Sequence, residues 1–446
     1  MKAIEIPNNI KQAIERIERA GFEAWAVGGC VRDSLLGRKP NDWDVTTSAR
    51  PDEIAAVFSD CRTVETGIRH GTLTVIWNGE PLEITTYRSD GEYADNRHPV
   101  QVSFSDHVED DLSRRDFTVN AMAYHAERGL VDLFSGKRDL ERRVIACVGD
   151  PETRFREDGL RILRAIRFAA VLDFEIDPAT ANAIHACRFL LRGIAAERIR
   201  EEFCKLIGGA GAVRILRAYV DVISEFLPEL GACVGVAQNT KYHYLDVWEH
   251  SLAALAETQT SDTVTRLAIL FHDVGKPLCR TTDDAGDHFK GHSPVGTRMV
   301  ADMMKRLRFD NQTAATVTQL VEYHDRAFPA EPRAVKRLMQ KMSDENISRL
   351  MEVQRCDRLA HAPLYREHAS AIFEIPAMVA QFRAEEACLS LKTLAIGGDD
   401  LQALGIPRGK AIGEILTRLL DDVIDETYPN DRTALLEAAQ KYYDEK

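Results

Sequence analysis

Two aspartates, Asp42 and Asp44 in NDWDVTT, follow a glycine pair and an arginine in AVGGCVRDSLLG. The order reads as a buried strand at Trp25–Val27, a turn at Gly28-Gly29 and a short helix carrying Arg32. A second turn around Gly37 and Pro40 then leads into a strand carrying both aspartates. Side chains two apart on a strand share a face, so Asp42 and Asp44 aim two carboxylates at one point. Converging carboxylates suit a hard divalent cation such as Mg2+, which takes its other ligands from water and substrate phosphates. A glycine turn lets backbone N–H groups approach a triphosphate, and a helix N-terminus favours the same charge. The same spacing also describes a surface turn with solvated aspartates, so the rest of the chain must decide.

The surrounding pattern is mixed α/β up to about Leu133, after a short amphipathic helix over residues 1–20. Strand-like runs at Leu73–Trp77 and Leu82–Tyr87 flank the turn Asn78-Gly79-Glu80-Pro81, a hairpin signal. Glu83 on the second strand is either a third carboxylate facing Asp42 and Asp44 across the sheet or an exposed strand glutamate. SDGEYADNRHP, from Ser89 to Pro99, is polar and turn-rich and reads as a mobile loop. In LSRRDFTVNAMAY, the guanidiniums of Arg114 and Arg115 suit phosphate, while Asp116 and Asn120 suit ribose hydroxyls or base edges. R-R-D is also common at a capped surface helix.

From about Asp150 strand signals nearly vanish. PETRFREDGLRILRAIRFAAVL carries Arg161, Arg164 and Arg167 at three-residue steps, a row that winds around a helix. Asp158 and Arg161 are then neighbours on one face. Such a pair either stabilises the helix by about 0.2–0.5 kcal/mol or presents fixed donors and acceptors to a nucleobase edge. IAAERIREEF sets Glu197, Arg198 and Glu201 on a further helix.

At 446 residues the chain is long enough for two to four domains. Its 45% hydrophobic and 28% charged residues are those of a soluble globular protein. No apolar run approaches the roughly 18 residues of a membrane span, and the N-terminus lacks a signal peptide's apolar core. Nine scattered cysteines without C-x-x-C point to free thiols in a reducing cytoplasm. The net charge of −13 opposes a nucleic-acid partner for the chain as a whole. Basic stretches at Arg154–Arg167 and Arg188–Lys205 keep a local RNA-binding groove open.

In order through residues 20–205, five segments resemble motifs of the bacterial class II CCA-adding enzymes, the tRNA nucleotidyltransferases related to poly(A) polymerases. GGCVRDSLLG with NDWDVTT resembles the metal motif, and RRDFTVNAMAY the ribose-recognition motif. DLFSGKRDLERRVIACVGDP is similar to the hinge, EDGLRILRAIRFA to the amino-acid template, and ERIREEF to the segment that braces the template. The resemblance implies that Asp42 and Asp44 bind catalytic Mg2+ and that Gly28, Gly29 and Arg32 hold the triphosphate. It implies sugar and phosphate contacts from Arg114 or Arg115 with Asp116 and Asn120. Asp158 and Arg161 would read the Watson–Crick edge of CTP or ATP, with Arg164 and Arg167 nearby for phosphate or structural support. One such site can accept cytosine and adenine because both set an exocyclic amine beside a ring-nitrogen acceptor.

Downstream, His250, His272-Asp273, His292, His324 and Asp357 resemble the ligand order of the HD phosphohydrolases. That resemblance implies a second divalent metal (Ni2+, Co2+, Mn2+ or Mg2+) and residual phosphohydrolase activity. The segment KTLAIGGDDLQALGIPRGKAIGEIL is similar to the tail that grips the outer tRNA arm, and its turn from Gly405 to Gly409 is equally readable as a helix connection.

The fold expected is therefore an α/β polymerase-beta-like nucleotidyltransferase head over residues 1–145 and an all-α neck over 146–230, followed by an HD-domain body over 231–365 and a helical tail over 366–446. The activity expected is stepwise addition of C, C and A to tRNA from CTP and ATP in the cytoplasm, with neither a membrane nor DNA as partner. The alternatives are an A-adding enzyme, a poly(A) polymerase, or an HD phosphohydrolase whose head only binds RNA.

Overall fold

The computed structural model describes residues 4–65, 67–68, 71–90, 102–366 and 370–445. The expected SDGEYADNRHP loop lies, from Gly91 onward, outside the described residues. Two compact units divide the chain, Met1–Gly231 and Ala232–Lys446.

The first unit opens with α1 (Asn8–Arg19), which buries Ile10, Ala13, Ile14 and Ile17 at helical spacing. Then follow the fully buried β1 (Ala24–Val27), α2 (Gly29–Leu35), β2 (Asp44–Thr47) and α3 (Pro51–Val57). β3 (Thr63–Val64), β4 (Thr72–Trp77) and β5 (Glu80–Thr86) come next. β6 (Arg88–Asp90) pairs with β7 (Val102–Phe104) as a separate ribbon, and α4 (Val108–Ser113), β8 (Ala123–His125) and β9 (Gly129–Val131) complete the α/β part. One seven-stranded sheet runs in the order β3-β4-β5-β2-β1-β8-β9. Only its β2–β5 pair is parallel; the others are antiparallel. Trp25, Val27, Tyr87, Val108, Leu112 and Ala123 pack on one face.

Two local expectations are corrected here. The β4–β5 turn is Asn78-Gly79 alone, with φ of +52° and +86°, the pair of left-handed residues that a tight hairpin demands. Glu80 and Pro81 therefore belong to β5, opposite Trp77 and Ile76. Likewise, β2 starts at Asp44 and does not include Asp42. The last β1–β2 pair is Val27–Asp44, because β1 turns away at Gly28 and leaves Asp42 without a partner strand on that side.

The rest of this unit is mainly helical: α5 (Gly136–Arg142), α6 (Pro151–Glu157), α7 (Leu160–Leu172), α8 (Pro178–Cys187) and α9 (Ala196–Ile207). Short α10 (Ala212–Ala218), α11 (Val220–Ile223) and α12 (Pro228–Gly231) close it. Where strand signals fade, a small parallel pair still forms between β10 (Val144–Ile145) and β11 (Glu175–Ile176). The single helix expected through residues 151–172 is broken. Asp158 has an extended backbone, φ −142° and ψ 106°, and its Oδ1 accepts the Leu160 N–H at 3.0 Å. A short acidic side chain followed by glycine favours capping a new helix over continuing the old one.

The second unit is built from α13 (Val247–Glu257), α14 (Thr263–Phe271), α15 (Lys276–Cys279), α16 (His292–Arg306), α17 (Asn311–Tyr323), α18 (Pro332–Lys341) and α19 (Asp344–Ala360). A hairpin of β12 (Thr281–Asp283) and β13 (Gly286–His288) interrupts the helices. Asp246, Asp262, Asp310 and Ser343 cap α13, α14, α17 and α19 by accepting backbone N–H groups. α20 (Ser370–Ala384), α21 (Gly398–Ala403), α22 (Lys410–Ile424) and α23 (Arg432–Asp444) follow. The Gly405–Gly409 turn joins α21 to α22, and Leu401, Ile406 and Ile412 on either side of it share one core. Among the described residues no helix is long and apolar enough to cross a membrane.

Candidate active site and a histidine cluster

Strand register brings the carboxylates together. Val45 pairs with Ile84 across the parallel β2–β5 ladder, which sets Asp44 beside Glu83 one step earlier on each strand. Burial, followed by the charges of Asp42 and Glu83, pushes the Asp44 carboxyl up to about 6, and Arg115 acts in the opposite sense. Glu83 raises Asp44 from the neighbouring strand and is itself exposed. Carboxylate oxygens are the donor type a hard divalent cation requires, and Asp42, Asp44 and Glu83 supply that type.

The glycine turn is held tightly. Gly28 has φ +81°, and a Cβ there would lie 2.9 Å from Arg115 Nη1, so this position admits only glycine without strain. Because β1 ends opposite Asp44, Gly28 and Arg115 flank the carboxylates. Arg32 on α2 donates to both oxygens of Asp33, at 2.8 and 3.0 Å, and to Asn120 Oδ1 at 2.7 Å. Of the two arginines left open by the sequence, Arg115 lies against Gly28 and acts on Asp44. Arg114 donates to Asp111, and its carbonyl accepts from Arg161 at 3.1 Å.

Asp111 is a buried acid beside the site that the sequence pattern does not single out. Fully buried, it accepts from Arg114, Arg115 and the Thr46 hydroxyl. The signal was its spacing, three and four residues before the two arginines at the end of α4. Asp116 and Asn120 are buried as well, and they hydrogen-bond each other at 3.1 Å. Burial alone would raise the Asp116 carboxyl, but the Arg164 guanidinium, the Asn120 amide and Arg161 hold it down to about 2. Both residues therefore orient Arg32 and Arg164.

The Arg161 N–H donates to the Asp158 carbonyl at 2.9 Å, while the two side chains reach other partners. Asp158 accepts from Arg198 on α9 at 2.8 Å, and Arg161 donates to Glu157 and to the carbonyls of Arg154 and Arg114. Arg164 is bound to Asp116 at 2.6 Å, and Arg167 to Glu202 at 2.7 Å. Both arginines thus carry a carboxylate partner from another element.

In the second unit, all six residues of the H…HD…H…H…D set converge. His272 and Asp273 lie just past the end of α14 rather than within it. A Cβ on Gly275 would fall 2.2 Å from the His292 carbonyl, so glycine lets this turn press against the start of α16. Asp273 faces two ways. Its Oδ2 lies 3.1 Å from His272 Nε2 and 3.7 Å from His250 Nε2, while Oδ1 lies 3.5 and 3.7 Å from the Nε2 atoms of His292 and His324. Asp357 Oδ1 meets His250 Nε2 at 2.8 Å. His272 Nε2 and Asp273 Oδ2 are buried without a well-directed hydrogen bond, an arrangement a metal ion satisfies. Imidazole and carboxylate donors together fit a first-row divalent ion. Sequence reasoning missed His243, His361 and Lys276, which complete the lining of a cavity of about 590 Å3 over this cluster. Lys276 Nζ lies 2.6 Å from Asp273 Oδ2.

Comparison with known proteins agrees with the nucleotidyltransferase reading. Family models match residues 24–146 as "Poly A polymerase head domain", residues 173–232 as "Probable RNA and SrmB- binding site of polymerase A", and residues 295–439 as tRNA nucleotidyltransferase domain 2. The CCA-adding enzyme of Streptococcus suis is 48% identical over 234 residues, covering 52% of this chain and 58% of the relative. The chain spans just over half the length of several such curated relatives. The CCA-adding enzyme of Levilactobacillus brevis matches end to end, 33% identical over 98% of this chain and 99% of the relative. The crystal structure of the Bacillus stearothermophilus CCA-adding enzyme in complex with CTP superposes with a TM-score of 0.73 at 26% identity, covering 98% of each chain. With its polymerase head motifs in place and its full length aligned, the chain belongs to the CCA-adding enzyme family of tRNA nucleotidyltransferases.

Proposed function

We propose that this protein adds C, C and A in turn to the 3′ end of tRNA, using CTP and ATP and releasing pyrophosphate. The observation that carries the reading is Asp44 set beside Glu83 across the β2–β5 ladder, its carboxyl raised by burial and by the charge of Asp42, next to the Gly28–Arg115 cradle. Asp42 and Asp44 would hold Mg2+, with Glu83 beside them. Bound there, such an ion would supply a lowered pKa for the attacking 3′-hydroxyl and counter-charge for the leaving pyrophosphate. Gly28, Gly29, Arg32 and Arg115 hold the triphosphate in line. Asp158, held by Arg198, and Arg161, once turned from Glu157 toward the nucleotide, offer one acceptor and a fork of donors to cytosine or adenine. The helical neck and tail hold the RNA by its backbone and shape. The test supplies tRNA transcripts ending at the discriminator base, at C and at CC, with CTP, ATP or both, and reads product length. Addition that stops at CCA supports the reading. Addition only to CC ends replaces it with an A-adding enzyme, and a long A ladder with a poly(A) polymerase.

A second activity is favoured by the two-faced Asp273 between its histidine pairs. His250, His272, Asp273, His292, His324 and Asp357 form an HD-type centre that hydrolyses phosphate esters with Ni2+, Co2+, Mn2+ or Mg2+. No hydrolysis of 2′,3′-cyclic nucleotides with any of these ions would remove this second reading and leave the first intact.

A further inference from the structure

Phe168, buried on α7, carries three guanidiniums around its ring. Arg167 Cζ lies 3.5 Å from the ring centroid, Arg32 Cζ 5.1 Å and Arg164 Cζ 5.4 Å. Phe117 meets the same ring edge-to-face at 5.7 Å. Three cations crowded on one side chain repel one another unless each has its own counter-charge. Here Asp33 serves Arg32, Asp116 serves Arg164 and Glu202 serves Arg167. A continuous set of hydrogen bonds runs from Arg32 through Asn120 and Asp116 to Arg164. The ring is thus where the helix bearing Arg161 meets the arginine assigned above to the triphosphate. An aliphatic residue could fill this volume, but only an aromatic face attracts guanidinium charge.

We propose that Phe168 is a positioning residue that couples the base-reading pair Asp158 and Arg161 to Arg32, so that a fitted cytosine or adenine sets the arginine that meets the triphosphate. The proposal rests on the nucleotidyltransferase reading. A correct base fixes the start of α7, α7 carries the ring, and the ring holds Arg32 in place. A wrong base leaves that linkage unused.

The test compares Phe168→Leu, which keeps apolar bulk, with Phe168→Tyr, which keeps the aromatic face. Single-nucleotide addition to tRNA is measured with CTP, ATP, UTP and GTP. In Phe168→Leu, kcat for CTP and ATP should fall about tenfold, the size of a buried cation–π contact, with little change in KM. Rates with UTP and GTP should hold, so base choice narrows, and Phe168→Tyr should restore it. An equal loss with all four nucleotides, or no restoration by tyrosine, overturns the proposal, since a ring that merely packs acts that way. A second measurement needs no activity. Thermal unfolding of Phe168→Leu, Arg32→Met and the double variant should be non-additive by about 2 °C. Strict additivity overturns the coupling. Wild-type protein that adds neither C nor A sinks the functional reading instead, and the unfolding cycle still decides the contact.

Discussion

Arg198 on α9 reaches across to Asp158 in the break between α6 and α7, Nη2 to Oδ2 at 2.8 Å. The same carboxylate caps α7 through the Leu160 N–H. The residue assigned to read the nucleobase is therefore held by a neighbouring helix as well as by its own. Its orientation depends on a side chain forty positions further along the chain.

Removing that hold should loosen base choice. In Arg198→Ala, discrimination of CTP against UTP should drop by about tenfold, as expected for losing one hydrogen bond to a charged group. Arg161→Ala should lose base choice before it loses all incorporation. Both are read from single-turnover addition of each nucleotide, and unchanged discrimination in Arg161→Ala would remove it from the template.

Asp42→Ala should abolish incorporation of C and of A alike, by at least about 10^3-fold. Gel analysis of tRNA extension checks this. Full activity in the variant would mean that the metal assignment is wrong.

Gly28→Ala combines a left-handed backbone with a Cβ placed 2.9 Å from Arg115 Nη1. The strain, on the order of 1–2 kcal/mol, should lower the melting temperature by about 2–4 °C. Displacing Arg115 should also raise KM for both nucleotides, measured by steady-state kinetics.

Asp116 supplies a pH test with a defined sign. Its carboxyl is held down to about 2 in the folded protein, against about 3.9 for an unperturbed aspartate. The folded state thus binds the proton less tightly than the unfolded state. Its contribution, on the order of 2–3 kcal/mol, is present above pH 4 and is lost as pH falls through 2. Asp116→Asn should accordingly melt lower than wild type by a constant margin from pH 8 to about pH 5, with the gap closing below about pH 4. Calorimetry across that range checks it.

Local patterns in the sequence already reveal much of this architecture. The glycine turn, Arg32 and Asp44 lie within one short run whose alternation and turn chemistry are self-contained, and the Asn78-Gly79 hairpin carries its own signal. The break at Asp158 is harder to read. Phe155, Ile162, Leu163 and Ile166 keep an apolar rhythm that runs through it, and the Asp-Gly step is the only local sign. Asp111 is masked because a buried acid looks like any surface acid until its arginines are seen around it. His243 and His361 belong to no spaced motif, and only the packing of α13 and α19 reveals them beside His250.

The parallel pairing of β2 with β5 has a consequence for how the site comes into being. Parallel neighbours cannot be joined by a tight turn, so Asp44 waits for a strand made well after it. During synthesis, the aspartates, the glycine turn and Arg32 emerge first as a half-site. Glu83 joins Asp44 only where the β4–β5 hairpin lies along β2, so a chain stopped before β5 would carry Asp42 and Asp44 without Glu83.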